Sequence, residues 1–297
     1  MPVIGDQVGL TLDRIIMATD FSPVAEKAAS YARALAQRYS SSLSVANVIE
    51  LSAATLSADA VVGPPIDQMR RDSATEQDRL LNDMTSAGVR TTAHTLESHN
   101  AAATIVGFAK ELRADLIVCG TNSNRGLSKA ILGSCSEGII RHAACPVLTV
   151  GPRAKPAPKS ALSFQTIVFA TDFSADAAKQ AAVALSFAQD CGGKLYLCHV
   201  LNHSGNDIAD TIGQSLKFEA ALERLIPKSS YEWCSPDCVV AMGAVAPHIL
   251  ALARKVGADL IVLGAKHSTS WYAHLVEGMV QQVLRDADCP VMTVGAR

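Results

Sequence analysis

Short apolar runs alternate along the chain with longer stretches whose apolar residues recur at helical spacing. Residues 14–19 are the first such run, and Ser22-Pro23 follows it as a helix N-cap with proline in the first turn. Apolar residues then recur every three or four positions, at Val24, Ala28, Ala32, Leu35 and Tyr39. The pattern predicts a buried strand followed by an amphipathic helix.

The same alternation continues through the first half of the chain. It predicts further strands at 43–49, 89–96, 115–119 and 146–150. It predicts further helices at 71–87, 101–113 and 134–143. The stretch around 51–70 contains Gly63-Pro64-Pro65 and predicts a loop.

The second half of the chain repeats the first. IMATDFS at 16–22 recurs as VFATDFS at 168–174, ADLIVCG at 114–120 as ADLIVLG at 258–264, and RHAACPVLTVG at 141–151 as RDADCPVMTVG at 285–295. The last two pairs share an offset of 144 residues and the first has an offset of 152, so the first half carries about eight extra residues in its middle. We infer a duplicated domain.

The segment 152–163, PRAKPAPKSALS, separates the two copies. Its three prolines and three basic residues show no helical period, which favours a semi-rigid linker. We therefore expect domain one at 11–151 and domain two at 164–297. In domain two, the helix that starts at Ser174 is expected to end at Cys191-Gly192-Gly193, where glycine adopts the left-handed cap conformation.

Strands that alternate with helices predict a parallel sheet in each copy. Near-continuous apolar strands such as LIVCG and LIVLG indicate that helices cover both faces of the sheet. Because such crossovers are right-handed, the expected fold is a doubly wound, Rossmann-like α/β domain. Ligands of this fold bind at the carboxyl ends of the strands.

The residues at these strand ends resemble the universal stress protein (UspA) family. The first strand ends in Ala18-Thr19-Asp20, Gly120 leads into TNSNRGLSKAILGS, and each half closes with R-x-A-x-CPV-x-TV. The resemblance covers nearly all of both halves. It implies five parallel strands per domain in the order 3-2-1-4-5, flanked by helices. It also implies that domains pair through the last strand, within a tandem chain or in a homodimer.

The family's nucleotide-binding members carry Gly, two residues, Gly, nine residues, then Gly-Ser or Gly-Thr. Domain one matches with Gly120, Gly133 and Ser134, whereas Ser123 stands where the second glycine is expected. Serine lacks the tolerance of glycine for positive φ, and Gly126 nearby supplies part of that freedom. Independently of the family, a glycine-containing loop that enters a helix N-terminus suits a phosphate group.

The resemblance also implies roles at the other strand ends. Asp20 would contact the base and Val48 would pack beside the adenine, with Ala18 in the same candidate site. Asp20 is alternatively a turn residue before the helix, and Val48 a plain core residue. Ser134, with Glu137 three positions later, also has the spacing of a capping box.

Domain two departs further from the nucleotide-binding pattern. It keeps three of the strand-end positions, as Asp172, Val200 and Gly264. The remaining loop positions hold His267, Glu277 and Gly278, and the loop carries the bulky Trp271 and Tyr272. A glutamate repels a triphosphate and opposes the attraction of the helix dipole. We therefore expect ATP in domain one only, and domain two to act as a structural partner or to bind something else.

Composition and charge restrict the function classes. A formal net charge of −2 gives no electrostatic basis for nucleic-acid binding, and no apolar run approaches the roughly 20 residues that span a bilayer. The N-terminus has no pattern typical of a signal peptide. The eight scattered cysteines are typical of buried thiols in a reducing compartment, so we expect a cytoplasmic protein.

No catalytic constellation is present in the sequence. The P-loop, nucleophile-elbow and zincin motifs are missing, and the hydrolase-type Ser-Gly-Gly after the first strand is replaced by TDFSP and TDFSA. Slow ATP hydrolysis is neither predicted nor ruled out. His267, His274 and Glu277, together with Cys234 and Cys238, are metal-ligand residue types without a closed zinc spacing, and Pro236-Asp237 between the cysteines predicts a turn.

The leading hypothesis is a cytosolic stress-response protein whose first domain binds ATP or a related adenine nucleotide. The second is a nucleotide-free module that uses the 51–75 segment to bind a protein partner that the sequence does not identify. The third is a redox sensor at Cys135, since a helix N-terminus lowers the pKa of a thiol.

Overall fold

The structure is a computed structural model that describes residues 11–51, 66–121, 133–158, 162–201, 208–265 and 273–295. These residues divide into two compact units, one ending at residue 162 and the other starting at 163. Within the described part of the chain, no helix has the length and apolarity needed to cross a membrane.

The first unit is a five-stranded parallel sheet flanked by helices. Its strands are β1 (Arg14–Ala18), β2 (Ser42–Glu50), β3 (Arg90–Ser98), β4 (Leu116–Gly120) and β5 (Val147–Val150). Its helices are α1 (Pro23–Tyr39), α2 (Ile66–Ser86), α3 (Ala101–Glu111) and α4 (Ser134–His142). The spatial order is β3-β2-β1-β4-β5, and every pair is parallel. The implied 3-2-1-4-5 order is confirmed.

Local sequence explains how the first unit begins. Ile15, Ile16 and Met17 fill β1 and are almost fully buried, because helices cover both faces of a central parallel strand. The predicted cap of α1 is confirmed: the Ser22 hydroxyl accepts a hydrogen bond from the Ala25 amide at 3.2 Å, directly before Pro23. The first strand and the first helix are thus fixed by neighbouring residues.

The second unit has the same architecture. Its strands are β6 (Thr166–Ala170), β7 (Lys194–Leu201), β8 (Ser235–Met242), β9 (Leu260–Ala265) and β10 (Val291–Gly295). Its helices are α5 (Ala177–Cys191), α6 (Ile208–Glu223), α7 (Val245–Val256) and α8 (Ala273–Asp286), with a 3₁₀ turn at Lys228–Glu232. The order β8-β7-β6-β9-β10 repeats that of the first unit, again with parallel pairs.

Three local predictions need correction. Helix α2 begins at Ile66, inside the stretch predicted as a loop, and residues 52–65 lie outside the described part. Helix α5 begins at Ala177, three residues after Ser174, although it ends at Cys191 before a left-handed glycine as predicted. Pro236-Asp237 lies in β8 and is not a turn, because an edge strand tolerates a proline.

The residues that follow β5 lie along α1. Three side chains of the helix bind this segment: the Lys27 ammonium donates to Pro152 O, the Tyr31 hydroxyl donates to Lys155 O, and the Ser30 hydroxyl accepts from the Ala157 amide, at 2.7, 3.1 and 2.8 Å. Arg38 also donates to the carbonyl of Leu162. The proline-rich segment is therefore held against the first unit.

Candidate functional site

A tight turn follows β1 at the carboxyl edge of the sheet. The Thr19 hydroxyl accepts a hydrogen bond from the Phe21 amide, and the Asp20 carboxylate accepts one from the Ser22 amide, both at 3.0 Å. Phe21 adopts a left-handed φ of 58° between them. The turn role of Asp20 is therefore observed, and the turn holds its exposed carboxylate at the end of β1, beside Ala18.

A buried polar network links β1, β2 and α2 beside this turn. The amide of Asn47 donates to the Thr19 carbonyl at 2.8 Å, and its oxygen accepts from the Ser73 hydroxyl at 2.9 Å. Val48, the next residue of β2, is half-buried and pairs with Leu96 of β3. Sequence reasoning missed Asn47 and Ser73, because their pairing depends on a contact between distant segments.

Gly120 ends β4 and lies directly under α1. A Cβ atom at this position would lie 3.1 Å from the Ala25 nitrogen and 3.2 Å from the Val24 carbonyl carbon. These are backbone atoms of the first helical turn, so a larger residue would force the backbone of α1 to move by a few tenths of an ångström. The Gly120 carbonyl accepts a hydrogen bond from the Ser136 hydroxyl at 3.0 Å, which fixes the start of α4 at the end of β4.

The N-terminus of α4 differs from the capping-box prediction. Its N-cap is Gly133, whose amide donates to the Thr121 carbonyl at 2.8 Å, and this N-cap makes no side-chain hydrogen bond within the described residues. Ser134 is the first helical residue and is exposed, so the predicted box is wrong by one position. Glu137 instead pairs with Arg141 at 2.9 Å. Among the described residues no side chain caps the first amide groups of α4, which suit an anion.

Five of the eight sequence-predicted site residues lie at one edge of the first sheet, and a sixth, Ser134, lies in the adjoining turn of α4. Ala18 of β1 pairs with Ala46 of β2 and with Cys119 of β4, which brings the carboxyl ends of these strands together. Ser123 and Gly126 lie outside the described residues. The arrangement combines an exposed carboxylate, an apolar side chain and a helix N-terminus that no described side chain caps.

The thiol of Cys135, in the first turn of α4, does not have the expected reactivity. Burial, and to a smaller extent the negative charges of Glu50 and Asp20, together raise its pKa to about 11. The expectation of a lowered pKa is wrong, because burial and two carboxylates outweigh the helix dipole. The same effect places Glu50, which sequence reasoning missed, within electrostatic range of the α4 N-terminus.

Domain two repeats the first turn and changes its surroundings. The Asp172 carboxylate accepts from the Ser174 amide at 2.9 Å, with Phe173 at a φ of 56°. His199 occupies the place of Asn47, and its Nδ1 atom lies 2.8 Å from the Thr171 carbonyl. The tight turn is therefore common to both domains, whereas the residue that supports it is not.

The helix that would receive phosphates begins earlier in domain two. Helix α8 starts at Ala273, although the counterpart of Ser134 is Gly278, five residues further on. Glu277 thus lies within the helical backbone. Its side chain and that of His274 lie outside the described set, as do His267, Trp271 and Tyr272. Because α8 already spans this position, domain two has no helix N-terminus where domain one has one.

A cavity of about 400 Å³ lies at the carboxyl ends of β6, β7 and β9. Gln180 of α5 and His199 of β7 are among its polar lining residues. Apolar side chains that line it include Val200, Leu201, Val245, Ile249, Leu263 and Met279. All lining residues belong to domain two, in which the sequence predicted no family-type nucleotide site.

The metal hypothesis gains no support from the described residues. They contain no group of three or more His, Cys, Asp or Glu side chains placed to hold a metal ion. Cys234 is buried, Cys238 lies in β8, and all eight cysteines of the chain are free thiols.

Comparison with known proteins points to one family. The family model described as the universal stress protein family matches residues 11–151 and 163–295. A curated universal stress protein of Staphylococcus haemolyticus is 35% identical over 143 residues, which cover 48% of this chain and 86% of that protein. A curated relative from Staphylococcus aureus strain USA300 is also 35% identical, over 153 residues that cover 50% of this chain and 89% of that protein.

Solved structures show the same fold. A universal stress protein from Archaeoglobus fulgidus aligns with a TM-score of 0.74 at 19% identity, covering 97% of this chain and 98% of that one. A universal stress protein from Pseudomonas aeruginosa UCBPP-PA14 aligns with a TM-score of 0.64 at 18% identity, covering 96% and 93%.

Proposed function

The chain belongs to the universal stress protein family, and on that premise we propose that it is a cytosolic stress-response protein whose first domain binds ATP or a related adenine nucleotide. The observation that carries this proposal is the N-terminus of α4, which is held at the end of β4 beside Gly120 and which no described side chain caps. The eight free cysteines fit a reducing compartment.

The phosphates would bind at the first turn of α4. Amide groups at a helix N-terminus point outward and carry partial positive charge, which favours an anion. Gly133 has no side chain to occupy this space, and the exposed Ser134 hydroxyl adds a hydrogen-bond donor. Ser123 and Gly126, which the sequence assigns to the same phosphate site, lie outside the described residues.

The base would lie at the ends of β1 and β2. The turn orients the Asp20 carboxylate through its bond from the Ser22 amide, and the exposed carboxylate can accept from an exocyclic amine. Val48 offers an apolar, half-buried side chain next to Asn47. Ala18 keeps the floor of the site free of a large side chain.

Binding would act through a change of conformation or of protein partner. A ligand shifts an equilibrium only by its difference in affinity for the two states. The first turn of α4 is fixed to β4 through Ser136, so a nucleotide bound there would act directly on the end of the sheet. We propose a regulatory binding protein, whose action requires no catalytic step.

The substitution Gly133→Glu tests the phosphate site, since it copies Glu277 into domain one. Titration calorimetry of the full chain with ATP should show at least about a hundredfold loss of affinity, equivalent to about 2.7 kcal/mol. Gly107→Glu is the matched control: it adds the same charge in α3, where a Cβ atom meets nothing within 4 Å.

Unchanged affinity in Gly133→Glu would show that the phosphate site is assigned wrongly. If the unmodified chain gives no heat with ATP, the nucleotide-free interaction module becomes the better hypothesis.

A further inference from the structure

The last strand of the second sheet has an open edge. Strand β8 pairs with β7, and no other strand of the described residues lies beside it. The Gly243 amide donates to the Leu201 carbonyl of β7 at 2.9 Å. Because successive residues of a strand direct their amide and carbonyl groups to opposite sides, those of Cys238, Val240 and Met242 point away from β7. These three residues form the free edge of β8.

Exposed apolar side chains lie on the elements around this free edge. The large apolar side chains that are exposed in the described residues all belong to α6, the 3₁₀ turn or β8, and they are Ile212, Leu216, Tyr231 and Met242. Ile212 and Leu216 are four positions apart, so they lie on one face of α6, where they are 56% and 61% exposed. An apolar surface beside an unpaired strand is typical of a site that binds another polypeptide.

Two glutamates continue the exposed face of α6. Glu219 and Glu223 follow Leu216 by three and seven positions, and both are exposed. Neither makes an ion pair within the described residues. Burial, and then the negative charges of Glu223 and Glu219, raise the pKa of the Cys238 thiol to about 11. Both carboxylates therefore lie within electrostatic range of the free edge.

The equivalent edge of domain one carries an ion pair. Glu97 of β3 pairs with Ile49 of β2 in the way that Met242 pairs with Leu201. The Glu97 carboxylate accepts two hydrogen bonds from the Arg70 guanidinium of α2, at 2.6 and 3.0 Å. Charged side chains on an edge strand disfavour pairing with another chain. Domain two has an exposed methionine in place of this protection.

Charge distinguishes between the possible occupants of the free edge. A second copy of the chain, paired antiparallel through β8, would bring its own Glu219 and Glu223 beside those of the first copy, and like charges repel. A segment that carries Lys or Arg would instead be attracted to these carboxylates. Its apolar side chains would cover Leu216. The charges therefore favour a basic, apolar segment over a second copy.

We propose that the free edge of β8 binds an extended, apolar peptide segment that carries Lys or Arg, and that this segment adds a strand to the second sheet. Its backbone bonds to the free edge from Cys238 onward, because Pro236 has no amide hydrogen. Its basic side chains bind Glu219 and Glu223, and its apolar side chains contact Leu216. This surface lies in domain two and does not depend on nucleotide binding in domain one.

Fluorescence anisotropy of labelled peptides with the full chain, at low ionic strength, tests the proposal. The probe is the peptide Lys-Val-Thr-Val-Lys-Val with blocked ends, which should bind in a saturable way. The same peptide with Glu in place of both Lys should bind at least about tenfold more weakly, because the glutamates of α6 repel it. A version N-methylated at alternate residues should lose affinity to the same extent, because it lacks the amide hydrogens that pair with β8.

Two variants test the same edge from the side of the protein. Val240→Pro removes an outward amide hydrogen without breaking a bond to β7, and should weaken binding at least about tenfold. Ala93→Pro is the matched control: Ser98 of β3 directs its carbonyl to β2, so the amide of Ala93 points outward at the edge of domain one, and the affinity should not change. If Val240→Pro does not fold, the double variant Glu219→Lys with Glu223→Lys replaces it, since both side chains are exposed. It should prefer the Glu peptide.

Several outcomes would overturn the proposal. The probe peptide does not bind in a saturable way, or the Glu and N-methylated peptides bind as tightly as the probe. Alternatively, the folded Val240→Pro or the double variant keeps the affinity of the unmodified chain, or Ala93→Pro loses as much affinity as Val240→Pro. Sedimentation that shows a dimer of the unmodified chain and a monomer of Val240→Pro would assign the edge to a second copy, and would also overturn it.

Discussion

The two domains share one backbone plan and differ in the chemistry at the carboxyl edge of their sheets. In domain one, Asn47 supports the turn after β1 through a polar network, and Ser136 ties α4 to Gly120. In domain two, an aromatic stack around His199 supports the equivalent turn, and Val280 stands in the place of Ser136. A duplicated fold can thus keep its geometry while one copy changes from a polar to a largely apolar strand edge.

The glycines at the ends of β4 and β9 contact different kinds of atoms in the two domains. Gly120 contacts the backbone of α1 directly. Gly264 contacts the side chain of Gln180, the counterpart of Ala28. In both domains the glycine allows close approach, but the partner is the helix backbone in one and the amide end of a side chain in the other.

The largest expected difference between the domains is in thiol reactivity at Cys135, whose counterpart in domain two is Met279. Its pKa of about 11 lies about two units above the ordinary value of 9.0, so at pH 8 its thiolate fraction should be about a hundredfold lower. Alkylation by iodoacetamide, followed by peptide mass spectrometry, should accelerate about tenfold per pH unit up to about pH 11.

Replacing Glu50 sharpens this test. Glu50→Gln removes a negative charge near Cys135 and the α4 N-terminus, so it should lower the pKa of the thiol and strengthen ATP binding severalfold. Rapid alkylation of the unmodified chain at pH 7 would instead support the redox-sensor hypothesis.

The polar network of domain one gives the next largest effect. Asn47→Ala leaves the Thr19 carbonyl without its buried donor and should cost about 2 kcal/mol of unfolding free energy. Hydrogen exchange measured by mass spectrometry on the full chain should place the loss of protection at β1 and β2.

The matched change in domain two is His199→Asn, which copies domain one. It can keep the bond to the Thr171 carbonyl and loses the stack on Phe218, so the expected cost is about 1 kcal/mol. If His199→Asn lowers the unfolding free energy more than Asn47→Ala does, the aromatic stack supports its turn more strongly than the polar network does. That result would contradict the expected order of the two costs.

The smallest expected difference is in the unfolding free energy lost on replacing the paired glycines Gly120 and Gly264. Gly120→Ala requires the backbone of α1 to move and should destabilise domain one by about 1–2 kcal/mol. Gly264→Ala meets only the end of the Gln180 side chain, so it should cost less than about 1 kcal/mol. Denaturant unfolding of the two variants of the full chain measures both values, and equal costs would contradict the assignment of their contacts.

Sequence reasoning predicted what neighbouring residues determine. The cap at Ser22 and the end of α5 before Gly192 depend on a few adjacent positions, and both were confirmed. The strand order came from the family resemblance and was also confirmed. Repeated segments at fixed offsets predicted the duplication, because both copies use the same strand and turn residues.

The candidate site was less predictable, because its parts meet only in the folded chain. The hydrogen bond between Asn47 and Ser73 joins β2 to α2, and no local sequence pattern predicts it. The capping-box spacing at Ser134 was misleading, since the helix begins with Gly133 as its cap. The cavity beside Gln180 depends on side chains from several elements of domain two, so the departures in its phosphate loop gave no indication of it.

The most direct measurement of the central claim is the number of adenine nucleotides bound per chain. The purified full chain would be denatured, the released small molecules quantified by mass spectrometry, and the protein titrated with ATP by calorimetry. The account predicts one ATP or related adenine nucleotide per chain, bound in domain one. Two nucleotides per chain, or none released together with no heat on titration, would contradict it.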